Sequence, residues 1–267
     1  MAVRRWNVRY RAHNGLPRPA IVLVPAQYSP QHRPAPLPLV ISPHGRGVRP
    51  KANANLWGDL LKGNFAVICP GGMGRRIPLD SWGYRKQIDD LARMPDIAEE
   101  TLPWLRIDRD RVYGVGGSMG GQEILLLLGQ HPRLMAGVAA FDSVANFYRR
   151  YREFAELPNG RVVQATARFE VGGTPRTNPE GYVLRSPTHW TRQIAESGVP
   201  LQMWWSTADK VVTDQKHQSG TLFAEIKRLR KHGRLDSVVG TWAHSHEMRF
   251  DTRLPQALEW LGLLPAT

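Results

Sequence analysis

The chain has 267 residues, 42% hydrophobic and 22% charged, a balance that excludes wholesale disorder, collagen and coiled coil. Apolar runs such as Ile124–Leu128 fall far short of the roughly 18 residues that span a bilayer, and no apolar signal core of about 7–15 residues follows Met1, so a cytoplasmic protein is expected. The 36 Lys and Arg exceed the 23 Asp and Glu by a net +13. They are dispersed, and their densest group, Lys227 to Arg234, suits a helix C-terminus, so neither nucleic acid nor membrane is an expected partner.

Val3–Arg11 and Ala20–Gln27 read as extended segments joined through Asn14-Gly15, placed to pair antiparallel at a sheet edge. A Pro-rich connection leads to a third strand, Leu37–Ser42, and then to Pro43-His44-Gly45-Arg46-Gly47. Asn53–Lys62 reads as a helix and Phe65–Cys69 as a strand. Cys69 is the single cysteine and lies in that apolar run, so it is expected to be a buried thiol, outside any disulfide or Cys-rich metal site.

Gln87–Leu105 has helical spacing with a break or kink at Pro95. Arg111–Gly116 follows as a strand, Met119–Gln130 as an apolar helix and Gly137–Phe141 as a strand. Leu201–Ser206 and Ser237–Trp242 complete the strands, with a helix through Leu222, Ile226 and Leu229 between them. A last helix presents Leu254, Leu258 and Leu261. The alternation predicts an α/β fold with a mostly parallel sheet covered on both faces. One domain, 1–267, is expected, with about 143–199 inserted as a cap or lid; that stretch carries eight Arg and no Lys against five Glu.

Chemistry concentrates in Gly116-Gly117-Ser118-Met119-Gly120-Gly121. This G-x-S-x-G pattern falls between a strand and a helix, the setting of a nucleophile elbow that lifts a serine hydroxyl above the sheet. Glycines at 116 and 120 avoid Cβ collisions in so sharp a turn. A serine hydroxyl needs a base, and the base an orienting acid. Asp209, in the loop after Leu201–Trp205, is the expected acid, with Asp142 its rival. The base is His244 or, as the alternative, His246, with His244 preferred because it lies nearer the strand end. The paired histidines lack a third ligand at metal-site spacing, so no metal is expected. The Gly45 loop lets backbone approach a substrate, and the N–H groups of Arg46 and Met119 are placed to meet an oxyanion; His44 is expected to order that loop.

These segments resemble the alpha/beta-hydrolase superfamily in its prolyl-oligopeptidase-like and feruloyl-esterase-like branch. The likeness runs through Pro38–Gly47, Ile107–Tyr113, the elbow, Ala208-Asp209-Lys210-Val211-Val212 and Ala243-His244-Ser245. It implies an eight-stranded sheet, a Ser118–Asp209–His244 triad, no cofactor and a small-molecule ester substrate, and leaves the oligomeric state open. Trp242-Ala243 stands where such relatives place Gly before the histidine, and Gln122-Glu123 replaces small residues at the start of the elbow helix. A serine carboxylesterase is the expectation. A serine peptidase and a non-catalytic basic binding protein are the alternatives, and the lack of a propeller within the chain counts against the peptidase.

Trp82 and Tyr84, in a Gly-flanked loop, are expected to be exposed near the pocket, and Trp190 and Trp204 to lie in the core. Arg46 and the Arg-rich insert suggest a substrate bearing a carboxylate.

Overall fold

The alternation of outward Asn7, Arg9 and Arg11 with inward Trp6, Val8 and Tyr10 makes β1 (Val3–Arg11) an edge strand with one wet face and a cationic rim that discourages further pairing. The computed structural model describes residues 3–58 and 63–265. β1 pairs antiparallel with β2 (Pro17–Pro25), from Val3 opposite Pro25 to Arg11 opposite Pro17. The remaining strands are β3 (Leu37–Ile41), β4 (Ala66–Pro70), β5 (Ile107–Gly117), β6 (Gly137–Phe141), β7 (Leu201–Ser206) and β8 (Leu235–Gly240). They form one eight-stranded sheet in the order β1-β2-β4-β3-β5-β6-β7-β8, parallel from β4 onward. This is the alpha/beta-hydrolase fold. β3, β4, β6 and β7 are buried along their whole length, the pattern of strands covered on both faces.

Successive residues of the central strands feed two separate cores. Leu39 and Ile41 of β3 join one cluster, which receives Ile88 and Leu91 from α2 (Arg85–Ala92), Ile97 from α3 (Met94–Thr101) and Leu125 from α4 (Met119–Gln130). α8 (Thr191–Glu196) and α9 (Thr221–Leu229) pack on the same side. Val40 points the other way, into a cluster with Ala54 of α1 (Pro50–Asn55) and with Leu254 and Leu258 of α10 (Leu254–Trp260). Cys69 is buried there, as expected, and burial pushes its thiol up to about 12.

Between β6 and β7 come α5 (Phe147–Glu153), α6 (Gly160–Val171) and α7 (Pro179–Val183), followed by α8. Phe147, Phe154, Val171 and Tyr182 of this segment build a third, smaller cluster with Trp82 and Met119.

Several boundaries move for local reasons. Pro95 stands in the first turn of α3, where a missing N–H costs nothing, so of the break or kink expected there the structure has the break, between two helices. The helix expected over Asn53–Lys62 is Pro50–Asn55, started by Pro50 at its first turn; residues 59–62 lie outside the described part. β5 begins four residues earlier than its apolar run, because Ile107 pairs with Leu37. β8 ends at Gly240, before Trp242, whose indole is held elsewhere. No described helix is long and apolar enough to cross a membrane.

Candidate active site

β5 runs into α4 through a single residue in a strained conformation. Ser118 has φ 58° and ψ −123°, a region that non-glycine residues occupy only when the surroundings over-determine it. Here its N–H donates to Phe141 O at 2.8 Å and its carbonyl accepts from Gln122 N–H at 3.0 Å. The flanking glycines act through close approach, since neither Gly116 nor Gly120 has a positive φ. A Cβ on Gly120 would lie 2.2 Å from Pro43 O, and one on Gly116 2.5 Å from Gly120 O. Backbone therefore rests directly on backbone where α4 meets the loop after β3.

Ser118 lines a cavity of about 290 Å³ together with Gly45, Arg46, Met119, His244 and Ser245. Its hydroxyl has no hydrogen-bond partner among the described residues, and no bond joins it to His244. Catalytic bonds of this type are commonly long in free enzymes and tighten with substrate. Met119 opens α4, so its N–H is one that a helix leaves without an internal acceptor. The Arg46 N–H likewise donates to no acceptor among the described residues, while Gly47 N–H beside it is fixed by Asp80 Oδ1 at 2.8 Å. His44 is buried. Its Nδ1–H donates to Gly45 O at 2.8 Å and its Nε2 accepts from Gly72 N–H at 3.2 Å. Burial lowers its pKa, which matches that neutral tautomer.

Of the two histidines, His244 meets the acid. Its Nδ1 lies 2.7 Å from Asp209 Oδ2. The other carboxylate oxygen accepts from Val211 and Val212 N–H at 2.7 and 3.0 Å. Burial pushes the Asp209 carboxyl up, but the His244 bond and charge and the Val211 N–H outweigh it and hold the group below its usual value. His246 turns outward: its side chain is 47% exposed and its Nδ1 faces Glu247 at 3.1 Å.

Asp142, the rival acid, does not bond His244. It holds the loop that carries it: Oδ1 accepts from Ser206 N–H at 2.8 Å, and Oδ2 from Ser245 N–H at 2.7 Å and Trp242 Nε1–H at 2.9 Å. Burial raises its pKa despite these donors. Ligand atoms of Asp142, Asp209 and His244 lie within 4.8 Å of one another, the spacing of a possible metal site. All four carboxylate oxygens are already accepting N–H bonds, so the cluster fits a hydrogen-bond chain better than a cation cage. Nothing in the sequence distinguished Asp142 as an acceptor for the histidine loop; its place directly after β6 was the only signal.

The opposite wall comes from Trp82, Val144, Arg150 and Phe154. Trp82 corrects the expectation of exposure: it is 2% exposed, packed between Phe147 and Phe154, yet it borders the cavity. Tyr84 lies away from that cavity, under the Arg185 guanidinium. Trp204 is core, and Trp190 is partly buried against the larger cluster, both as expected. The unusual Gln122-Glu123 pair braces this wall. Gln122 Nε2 donates to Trp82 O at 3.2 Å and Arg185 O at 2.7 Å, and Glu123 accepts from the Ser81 hydroxyl. Burial pushes Glu123 up to about 8.

Comparison with known proteins gives the family and the fold. The sequence profile of the prolyl oligopeptidase family matches residues 82–250. Among solved structures, an acylaminoacyl peptidase of Pyrococcus horikoshii superposes with a TM-score of 0.68 at 16% identity, over 92% of this chain and 38% of its own. An esterase of Pyrococcus furiosus gives 0.66 at 15%, over 97% of this chain and 90% of its own. An S-formylglutathione hydrolase of Staphylococcus aureus gives 0.68 at 14%, over 98% and 99%. The chain thus spans about two fifths of the peptidase structures it resembles. At such identities these likenesses establish the fold alone. No curated protein matches the sequence.

Proposed function

The chain belongs to the prolyl oligopeptidase family, and from that premise we propose that it is a serine carboxylesterase with Ser118 as nucleophile, His244 as base and Asp209 as the orienting acid. The observation that carries this reading is the 2.7 Å Asp209–His244 pair bordering the cavity that Ser118 lines. Asp209 accepts a hydrogen bond from Nδ1–H, which stays on the ring, and so leaves Nε2 free to take the serine proton. The hydroxyl oxygen then attacks the ester carbonyl. The N–H groups of Arg46 and Met119 are the donors for the oxyanion, a contribution of about 2.7–4 kcal/mol per donor to the barrier. The imidazolium returns its proton to the leaving alcohol, and water releases the acid through the same groups in reversed roles. Of the stretch 143–199, α5, α6 and α7 serve as the cap of a single catalytic domain, whereas α8 packs on the sheet with the main core.

Solved structures of this fold include an esterase and an S-formylglutathione hydrolase as well as peptidases, so the choice of ester over peptide is decided by assay. Two measurements test the proposal. A fluorophosphonate probe labels Ser118 in the native protein. The Ser118→Ala variant keeps its melting temperature and loses p-nitrophenyl acetate turnover by about 10⁴-fold or more. A variant retaining a tenth of the activity rejects the nucleophile. Aminoacyl anilides assayed in parallel decide the substrate class, and cleavage at the ester rate rejects the esterase reading.

A further inference from the structure

The helical wall introduces a charged group that the ester chemistry does not use. Arg150, in α5, is 4% exposed and borders the Ser118 cavity among Trp82, Val144 and Phe154. Its guanidinium carbon sits over the Phe154 ring, 4.6 Å from its centre, so the group rests on an aromatic face. Its side chain makes one hydrogen bond among the described residues, from Nη1 to Glu153 Oε2 at 3.1 Å. Glu153 stands outside the cavity, in a groove on the other side with Arg149 and Asp214. A guanidinium has five N–H donors and stays charged in proteins, so most of its donor capacity is unused.

Among the described residues, the cavity lining itself carries arginines and no carboxylate. Glu153 is shared between Arg150 and Arg149, which lies 3.7 Å away and also pairs with Asp214. Arg46 adds a third cation at the cavity, and no carboxylate lines it. The further carboxylate that acts on Arg150, Asp209, is already taken by His244 Nδ1 and by the Val211 and Val212 N–H groups and lies outside the cavity lining. A buried, aromatic-backed guanidinium with free donors matches the planar fork of a carboxylate.

We propose that Arg150 anchors a free carboxylate on the substrate, making the preferred ester a half-ester of a short dicarboxylic acid. The anchor rests on the hydrolase reading above and assigns its substrate class.

The test compares two methyl esters of equal shape, monomethyl glutarate and methyl 4-carbamoylbutanoate, in which a neutral amide replaces the carboxylate. The wild-type kcat/KM is expected to favour the acid by about 10- to 100-fold, the worth of a charged bidentate contact. That preference collapses toward one in Arg150→Met and survives in part in Arg150→Lys, which keeps the charge but loses the fork. Equal wild-type rates for the two esters overturn the anchor, and this comparison needs no variant to fold. An undiminished preference in a folded Arg150→Met protein also overturns it. Fluorophosphonate labelling separates the layers: labelled Ser118 with no acid preference sinks the anchor alone, whereas failure to label with neither ester cleaved sinks the hydrolase reading and the anchor with it.

Discussion

The two walls of the cavity are held by different means. On the strand side, Ser118 and His244 lie at the carboxyl ends of β5 and β8, fixed by backbone packing and by N–H donors to Asp142 and Asp209. On the helical side, Trp82 is fixed by Gln122 and its neighbour Ser81 by Glu123, side chains reaching across from α4, and Arg150 by Glu153 one turn along its own helix. Glu170 of α6 adds a similar clasp, accepting from Arg76 and Ile77 N–H at 2.8 and 3.0 Å. The difference teaches that the proposed triad depends on the sheet, whereas the proposed substrate anchor depends on individual polar side chains.

The sharpest way to break this comparison is on the strand side. His244→Ala is expected to lower kcat by about 10⁴-fold and Asp209→Asn by a similar factor, while His246→Ala stays within about threefold. Steady-state kinetics with one neutral ester checks all three, and an equal loss in His246→Ala overturns the choice of base. A smaller effect is expected from Asp142→Asn, which retains one acceptor oxygen but sets an amide N–H₂ against N–H donors. Misplacement of the histidine loop costs on the order of 10²-fold. If Asp142 acts only through position, the loss falls on kcat with KM little changed; a rise in KM alone contradicts that role.

The smallest effect concerns the helical side and pH. Glu123 is raised from 4.5 to about 8 by burial. Because the folded value lies above the unfolded one, the neutral acid stabilises the fold fully below about pH 4.5, and this contribution declines as pH rises through about 8. The melting temperature is therefore expected to fall by a few degrees between pH 6 and 9, and Glu123→Gln to flatten that slope. Thermal unfolding across the range checks it; parallel slopes in both proteins locate the pH dependence elsewhere.

The strand wall was largely legible from the residues, because its signals are local. A G-x-S-x-G turn between strand and helix, and polar loops directly after apolar strands, place Ser118, Asp209 and His244 with no knowledge of distant contacts. Choosing between His244 and His246 needed the backbone, since Ser245 between them has φ 54° and the two rings diverge. Arg150 and Glu123 were not legible as parts of one wall. Charge drew attention to the Arg-rich segment as a whole, but which arginine turns inward depends on Phe154 and Glu153 meeting it within α5 and just beyond. Trp82 was misread for a related reason: glycine beside it suggested exposure, whereas Phe147 and Phe154 arrive from a distant stretch to cover it.

Gly120 has a consequence for what the chain tolerates. Its backbone lies against the Pro43 carbonyl with no side chain between them, so even a methyl group at this position would wedge apart the two segments that carry the Arg46 and Met119 amides. A lone hydrogen atom there sets how near those amides can come.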